Sequence, residues 1–256
     1  MSPDTTQRWL RRFHPCPDAP VQLLCLPHAG GSASFYFPFS RALAGSAEVV
    51  CVQYPGRQER HDEPGITELH TLADRITEAV AEGADDRPLA LFGHSMGAML
   101  AFEVAGRLED AGITVATLFV SGRRAPSRQR PVRNVHGFTD EQLVAELAAL
   151  DGTEAELLGD PDVLRLILPA IRSDYEAVET YRHRPRPQLR CPVVALVGDR
   201  DPRVDLDEAA AWADHTARPF ALQVFPGGHF YLSAQQDAVV GLMRRHLTAS
   251  LPVGAG

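Results

Sequence analysis

The stretch that most limits what this chain can become is Leu89-Ala90-Leu91-Phe92-Gly93-His94-Ser95-Met96-Gly97-Ala98. A short apolar run, of the length of a buried strand, breaks into Gly-x-Ser-x-Gly and continues in a helical pattern. In such an arrangement the serine sits on a sharp strand-to-helix turn. The flanking glycines are wanted because a Cβ at either position would strike the neighbouring strand or helix. Five residues with three fixed positions also arise by chance, so the surrounding chain has to supply the test.

That test is the spacing of the other apolar runs. Runs at 21–26, 48–53, 115–120, 191–197 and 220–225 read as further strands, several of them continuously apolar, as strands buried on both faces are. Between them the chain reads as helices. Residues 67–82 place Leu69, Leu72, Ile76 and Val80 on one face, and 35–43, 206–215 and 233–247 are further helices. From Met96 onward, Gly97, Ala98, Ala101 and Ala105 are small enough for close packing on a sheet, and Gly112 stands where a helix C-terminus ends. Strands alternating with helices predict βαβ units, hence an α/β fold with a mostly parallel central sheet and helices on both faces.

The alternation lapses after Ser121. Arg123, Arg124, Arg128, Arg130 and Arg133 come with no acid among them, and 139–182 reads as helices with no strand between. Thr139-Asp140-Glu141-Gln142 has capping-box spacing, and Asp160-Pro161 reads as an N-cap followed by proline in the first turn. Val163, Leu164, Ile167, Leu168 and Ile171 form an apolar stripe, expected to kink or break at Pro169. The segment at about 123–185 is therefore expected to be a helical lid over the carboxyl edge of the sheet, or else a merely structural insertion. Residues 1–18 read as an extended arm on the surface. The loop Tyr54-Pro55-Gly56-Arg57-Gln58-Glu59-Arg60 reads, from its residues alone, as a solvated charged turn.

A chain of 256 residues with 45% hydrophobic content suits one domain over 1–256 carrying that insertion. No uncharged apolar run reaches the roughly 18 residues of a membrane span, and residues 1–12 lack the apolar segment of a secretory signal. A cytoplasmic protein is expected, with no membrane partner. The formal charge of −8 argues against a general binder of nucleic acid. Cys16, Cys25, Cys51 and Cys191 are widely spaced, which argues for reduced thiols and against disulfides or a metal site. The Gly30-Gly31 loop lacks a following Gly-Lys-Ser/Thr, so a nucleotide role is not expected there, and no cofactor is expected for the chain.

Three polar loops follow strands in the order Ser95, then Asp199 or Asp201, then His229. A neutral serine hydroxyl is a weak nucleophile, so a histidine must take its proton and later return one to the leaving group. An aspartate fixes the imidazole tautomer and steadies the imidazolium. This order is the one α/β-hydrolases use, and the carboxyl edge of an open α/β sheet is where sites form. Between the acids Asp201 is favoured, because it lies further out toward His229, whereas Asp199 follows Gly198 directly and can bind backbone in the turn. The backbone N–H groups of Ala29 and Met96 are candidates for the oxyanion hole, and His94 for a support of the turn.

Pro27-His28-Ala29-Gly30-Gly31, Gln53-Tyr54-Pro55-Gly56-Arg57, Gly93-His94-Ser95-Met96-Gly97, Gly198-Asp199-Arg200-Asp201 and Gly228-His229-Phe230 together resemble the type II thioesterases, editing hydrolases of polyketide and non-ribosomal peptide assembly. The resemblance covers nearly the whole chain, and the Tyr-Pro-Gly-Arg element is its most specific part. It implies an α/β-hydrolase fold, Ser95 as nucleophile, Asp201 as acid, His229 as base, and Ala29 and Met96 as oxyanion donors. It also implies acyl or peptidyl carrier protein domains as partners, with stalled or mis-primed acyl groups cleared from their phosphopantetheine arms. Carrier proteins are usually acidic, so the five arginines at 123–133 are either their docking field or a solvated charge run. A small-molecule carboxylesterase and a non-catalytic binding module on the same scaffold are the competing readings.

Overall fold

A computed structural model describes residues 7–83, 85–150 and 160–249. Among the described residues seven strands form one sheet: β1 (Leu10–Arg11), β2 (Gln22–Leu26), β3 (Glu48–Val52), β4 (Leu89–His94), β5 (Val115–Ser121), β6 (Val193–Gly198) and β7 (Phe220–Phe225). Their spatial order is β1-β3-β2-β4-β5-β6-β7, and every pairing is parallel except β1 with β3. The expected α/β-hydrolase fold is therefore the one observed. Because β2 through β7 run the same way, the loops after β2, β3, β4, β6 and β7 all emerge at one edge.

Strand alternation divides the core between two faces. Leu24, Leu26, Leu91 and Leu118 point to one side, where α2 (Leu69–Glu82) and α3 (Met96–Asp110) cover them. Leu23, Cys25, Phe92 and Phe119 point to the other, under α1 (Phe37–Leu43) and α8 (Gln236–Ala249). Cys25 and Cys51 are register partners on adjacent strands, and all four cysteines are free thiols.

Between β5 and β6 stand a short 3₁₀ turn (Val135–Gly137), α4 (Asp140–Ala148) and α5 (Pro161–Thr180). Thr139 and Gln142 close the expected capping box, and the Asp160 carboxylate accepts the N–H groups of Asp162 and Val163. Leu143, Leu147, Leu168 and Ile171 bury one another in a small core of their own. Residues 151–159 of this insertion, the first six residues of the arm and the expected loose tail at 250–256 lie outside the described residues. The short helices α6 (Leu206–Ala210) and α7 (Tyr231–Ala234) complete the fold.

Four expectations need correction. The arm is not simply laid on the surface: Trp9 and Leu10 are buried, and β1 pairs antiparallel with β3. A two-residue strand is too short for periodicity to reveal it. The loop after β3 is not a solvated turn either, since Tyr54, Arg57 and Arg60 are all buried. Its arginines enter the interior because each finds partners there. Arg60 forms an ion pair with Glu63, donates to the Gln53 carbonyl and lies over the Trp9 ring. Of the kink or break expected at Pro169, the break does not occur: α5 is continuous from Pro161 to Thr180. The last stretch of helix is also divided, into α7 and α8.

Candidate active site

Ser95 stands between β4 and α3 with φ 54° and ψ −115°, a region that residues with a Cβ rarely occupy. The surroundings hold it there. The Ser95 N–H donates to the Ser121 carbonyl at 2.8 Å. A Cβ on Gly93 would lie 2.0 Å from the Gly97 carbonyl oxygen, and one on Gly97 2.0 Å from that of Leu26. The two glycines thus let β4, the turn and α3 close upon β2.

His229, in the loop after β7, places Nε2 3.0 Å from Ser95 Oγ. Its Nδ1 faces both oxygens of Asp201, at 2.9 and 3.0 Å. The histidine and aspartate side chains are almost wholly enclosed, at 4% and 0% exposure, so this contact is shielded from water. Asp201 also accepts the Arg203 N–H at 2.8 Å, which fixes its carboxylate. Asp199 points elsewhere and accepts the Gly227 N–H at 2.8 Å. The structure therefore brings Ser95, Asp201 and His229 together and leaves Asp199 to fasten the loop that carries His229.

Ala29 and Met96 line the same cavity as Ser95 and His229. This cavity has a volume of about 730 Å³, and its remaining wall comes largely from the insertion, including Tyr175, Val178 and Tyr181. It is of the size of ordinary ligand pockets. Among the described residues no group of three His, Cys, Asp or Glu side chains is placed to hold a metal ion.

Two further histidines stand behind the site. His94 Nδ1 is 2.9 Å from Ser121 Oγ, which is in turn 2.6 Å from the Tyr231 hydroxyl. The His28 ring meets Phe35 and Phe230 in edge-to-face contacts. Burial, with His229 nearby adding to it, pushes His28 down to about 3 and holds His94 well below the ordinary histidine range. Both rings are neutral at physiological pH.

The five arginines separate. Arg130 is engaged with Glu208 and Asp205, and Arg133 with Glu146. Burial, with the adjacent Arg124 charge adding to it, pushes Arg123 down to about 9. Arg124 and Arg128 have no carboxylate ion pair among the described residues, and both border the cavity.

Asp174, which the sequence gave no reason to single out, joins the site from the insertion. It accepts from Arg57 at 2.7 and 2.9 Å and from the Gly30 N–H at 2.7 Å. No spacing rule links Asp174 to Arg57 across 117 positions. The one signal was Arg57 itself, a cation in the Tyr-Pro-Gly-Arg element whose partner was still to be found.

A strained serine at the carboxyl edge of a mostly parallel sheet, roofed by a helical insertion, defines the α/β-hydrolase class. Known proteins narrow it. The family model described as "Thioesterase domain" matches residues 21–247, and the chain belongs to that family. It is 53% identical over 236 residues to the probable cadicidin biosynthesis thioesterase of Streptomyces griseus, covering 92% of this chain and 65% of that protein. It is 50% identical over 240 residues to the thioesterase PikA5 of Streptomyces venezuelae, covering 93% of this chain and 85% of that one. The solved type II thioesterase BorB, from the borrelidin biosynthetic cluster, is 52% identical with a TM-score of 0.89, over 94% of this chain and 98% of that chain. Within its family the chain stands among the type II thioesterases.

Proposed function

We propose that this chain hydrolyses acyl groups from the phosphopantetheine arms of carrier proteins, removing stalled or mis-primed units in polyketide or non-ribosomal peptide biosynthesis. The observation that carries the reading is the convergence of Ser95, His229 and Asp201 on one cavity in a chain whose relatives are biosynthetic thioesterases. In the proposed reaction Ser95 Oγ attacks the thioester carbonyl while His229 Nε2 takes its proton. Asp201 holds the proton on Nδ1 and stabilises the imidazolium. The tetrahedral oxyanion is received by the N–H groups of Ala29 and Met96; losing one such donor typically costs about 3–4 kcal/mol of barrier.

The C–S bond then breaks, and the thiol leaves with the proton from His229. Water, deprotonated by the same histidine, attacks the acyl-serine and releases the carboxylic acid. A thiol has a pKa of about 8.5, so its expulsion asks less of the acid than expulsion of an amine would. Only protons and an acyl group move, so the proposed chemistry calls on no cofactor. The insertion at about 123–185 acts as the lid of the acyl chamber on an α/β-hydrolase domain spanning 1–256. The proposed setting is cytoplasmic, in keeping with four free thiols. Among the described residues no helix is long and apolar enough to cross a membrane.

The test is to incubate the protein with acyl carrier proteins bearing short and long acyl chains and follow loss of the acyl group by mass spectrometry. Carrier-bound thioesters are expected to turn over faster than matched free oxygen esters. Equal rates would indicate a general carboxylesterase. No turnover of either, with Ser95 unreactive toward a fluorophosphonate, would indicate a binding module.

A further inference from the structure

Asp174 lies on α5, within the insertion, yet its carboxylate is bound to loops of the sheet edge. Oδ2 accepts from the Gly30 N–H at 2.7 Å and from Arg57 Nη1 at 2.7 Å, while Oδ1 accepts from Arg57 Nη2 at 2.9 Å. Arg57 Nη1 also donates to the Gly31 carbonyl at 2.8 Å, and Nε donates to the Pro55 carbonyl at 3.2 Å. The pair is enclosed, with the two side chains 7% and 2% exposed. The Gly30-Gly31 turn is thus gripped by its N–H and its C=O, and the carboxylate holding that grip belongs to the insertion.

Packing repeats the connection. Gly30 has φ 77°, and a Cβ there would lie 2.7 Å from Cγ1 of Ile171, one turn before Asp174 on the same helix. The Tyr54 hydroxyl donates to the Pro27 carbonyl at 3.0 Å, fixing the start of the same loop. Ala29 stands between these two fastenings. An oxyanion donor works only within about 2.7–3.1 Å of the developing charge, and a misplacement of about 1 Å costs about 10²-fold in rate.

We propose that Asp174 is a positioning residue: through Arg57 and the Gly30-Gly31 turn it sets the Ala29 N–H, so that the oxyanion site is complete only while α5 is docked on the loop. The proposal rests on the reading of Ser95 as nucleophile and Ala29 as donor. It gives the insertion a part in the chemical step, beyond that of a wall around the acyl group.

The experiment compares Asp174→Asn with Arg172→Ala on an acyl-pantetheine thioester. Arg172 sits on the same helix and ties it to the His136 and Phe138 carbonyls and to Asp140, away from the loop. Asp174→Asn is expected to lower kcat about 10²-fold with KM changed less than threefold. It is also expected to weaken a trifluoromethyl ketone, which forms an oxyanion on the serine, by a similar factor. Arg172→Ala is expected to lower Tm while leaving both quantities within threefold. If the two variants lose kcat and ketone affinity alike, or if Asp174→Asn keeps both, the proposal is overturned. Arg57→Lys, which keeps the charge and loses the fork, carries the same comparison if Asp174→Asn does not fold. Ser95→Ala separates the two readings: an active Ser95→Ala removes the underlying mechanism, whereas an inactive Ser95→Ala beside a normal Asp174→Asn removes only this proposal.

Discussion

Asp199 and Gly227 are joined by a 2.8 Å hydrogen bond from the glycine N–H to the carboxylate, two residues before His229. The neighbouring acid, Asp201, meets His229 itself at 2.9 Å. The two carboxylates therefore separate a fastening from a charge that bears on the imidazole. Asp201→Asn is expected to lower kcat by about 10⁴, because the amide stabilises the wrong tautomer. Asp199→Asn retains an acceptor oxygen for Gly227 and is expected to lower kcat less than tenfold. Steady-state kinetics on one thioester checks both, and the reverse ranking would transfer the acid to Asp199.

Two glycines with different surroundings are expected to tolerate alanine differently. At Gly97 the new Cβ meets backbone, 2.0 Å from the Leu26 oxygen and 2.6 Å from that of Pro27. Neither can withdraw without moving β2, so Gly97→Ala should cost about 3 kcal/mol or more. Gly112 has φ 82° but open space around it, so Gly112→Ala carries only the left-handed backbone cost of about 1–2 kcal/mol. Urea unfolding of both variants measures the difference, and comparable losses would contradict the close approach at Gly97.

The sheet, and the placement of Ser95, Asp201 and His229 at the ends of strands, were legible because each rests on local pattern: an apolar run followed by polar and glycine-rich residues. Asp199 and Asp201 could be told apart only by where each stood after Gly198. What was illegible depends on distant partners. Arg57 and Arg60 looked like solvated charge because nothing in residues 54–60 shows that Asp174 and Trp9 will meet them. Trp9 and Leu10 looked like a surface arm because a two-residue edge strand has no measurable period. Pro169 removes one helical N–H, but packing of Leu168 and Ile171 into the insertion's own core keeps α5 continuous across it.

Acid sensitivity follows from His28 and His94. Both are neutral when folded, with His28 pushed down to about 3 and His94 well below the ordinary value, while in the unfolded chain each takes a proton near pH 6.5. Below that pH the unfolded state binds more protons, so stability falls as pH falls, by up to about 1.4 kcal/mol per pH unit for each ring. For His28 the loss levels off only near pH 3. Urea unfolding at pH 7.5, 6.0 and 5.0 is expected to show this slope, and His94→Asn is expected to make it shallower by about one proton. An unchanged slope in that variant would mean that His94 is already protonated in the folded state.

The insertion's arginines give a prediction about electrostatics rather than chemistry. Arg130 and Arg133 are occupied by Glu208 and Glu146, so reversing either mostly disrupts a local pair. Arg128 is exposed beside the cavity and has no carboxylate ion pair among the described residues. If an acidic carrier protein approaches here, Arg128→Glu acts on the encounter and not on the reacting atoms. The expected result is a several-fold fall in kcat/KM for carrier-bound thioester at about 20 mM salt. The fall should shrink toward about 0.5 M salt, where screening shortens the reach of the field to a few ångströms. Hydrolysis of an uncharged small thioester should change less than twofold. A loss that is the same at both salt concentrations, or equal for the small substrate, would place the arginine in the cavity's packing and leave the carrier to dock elsewhere.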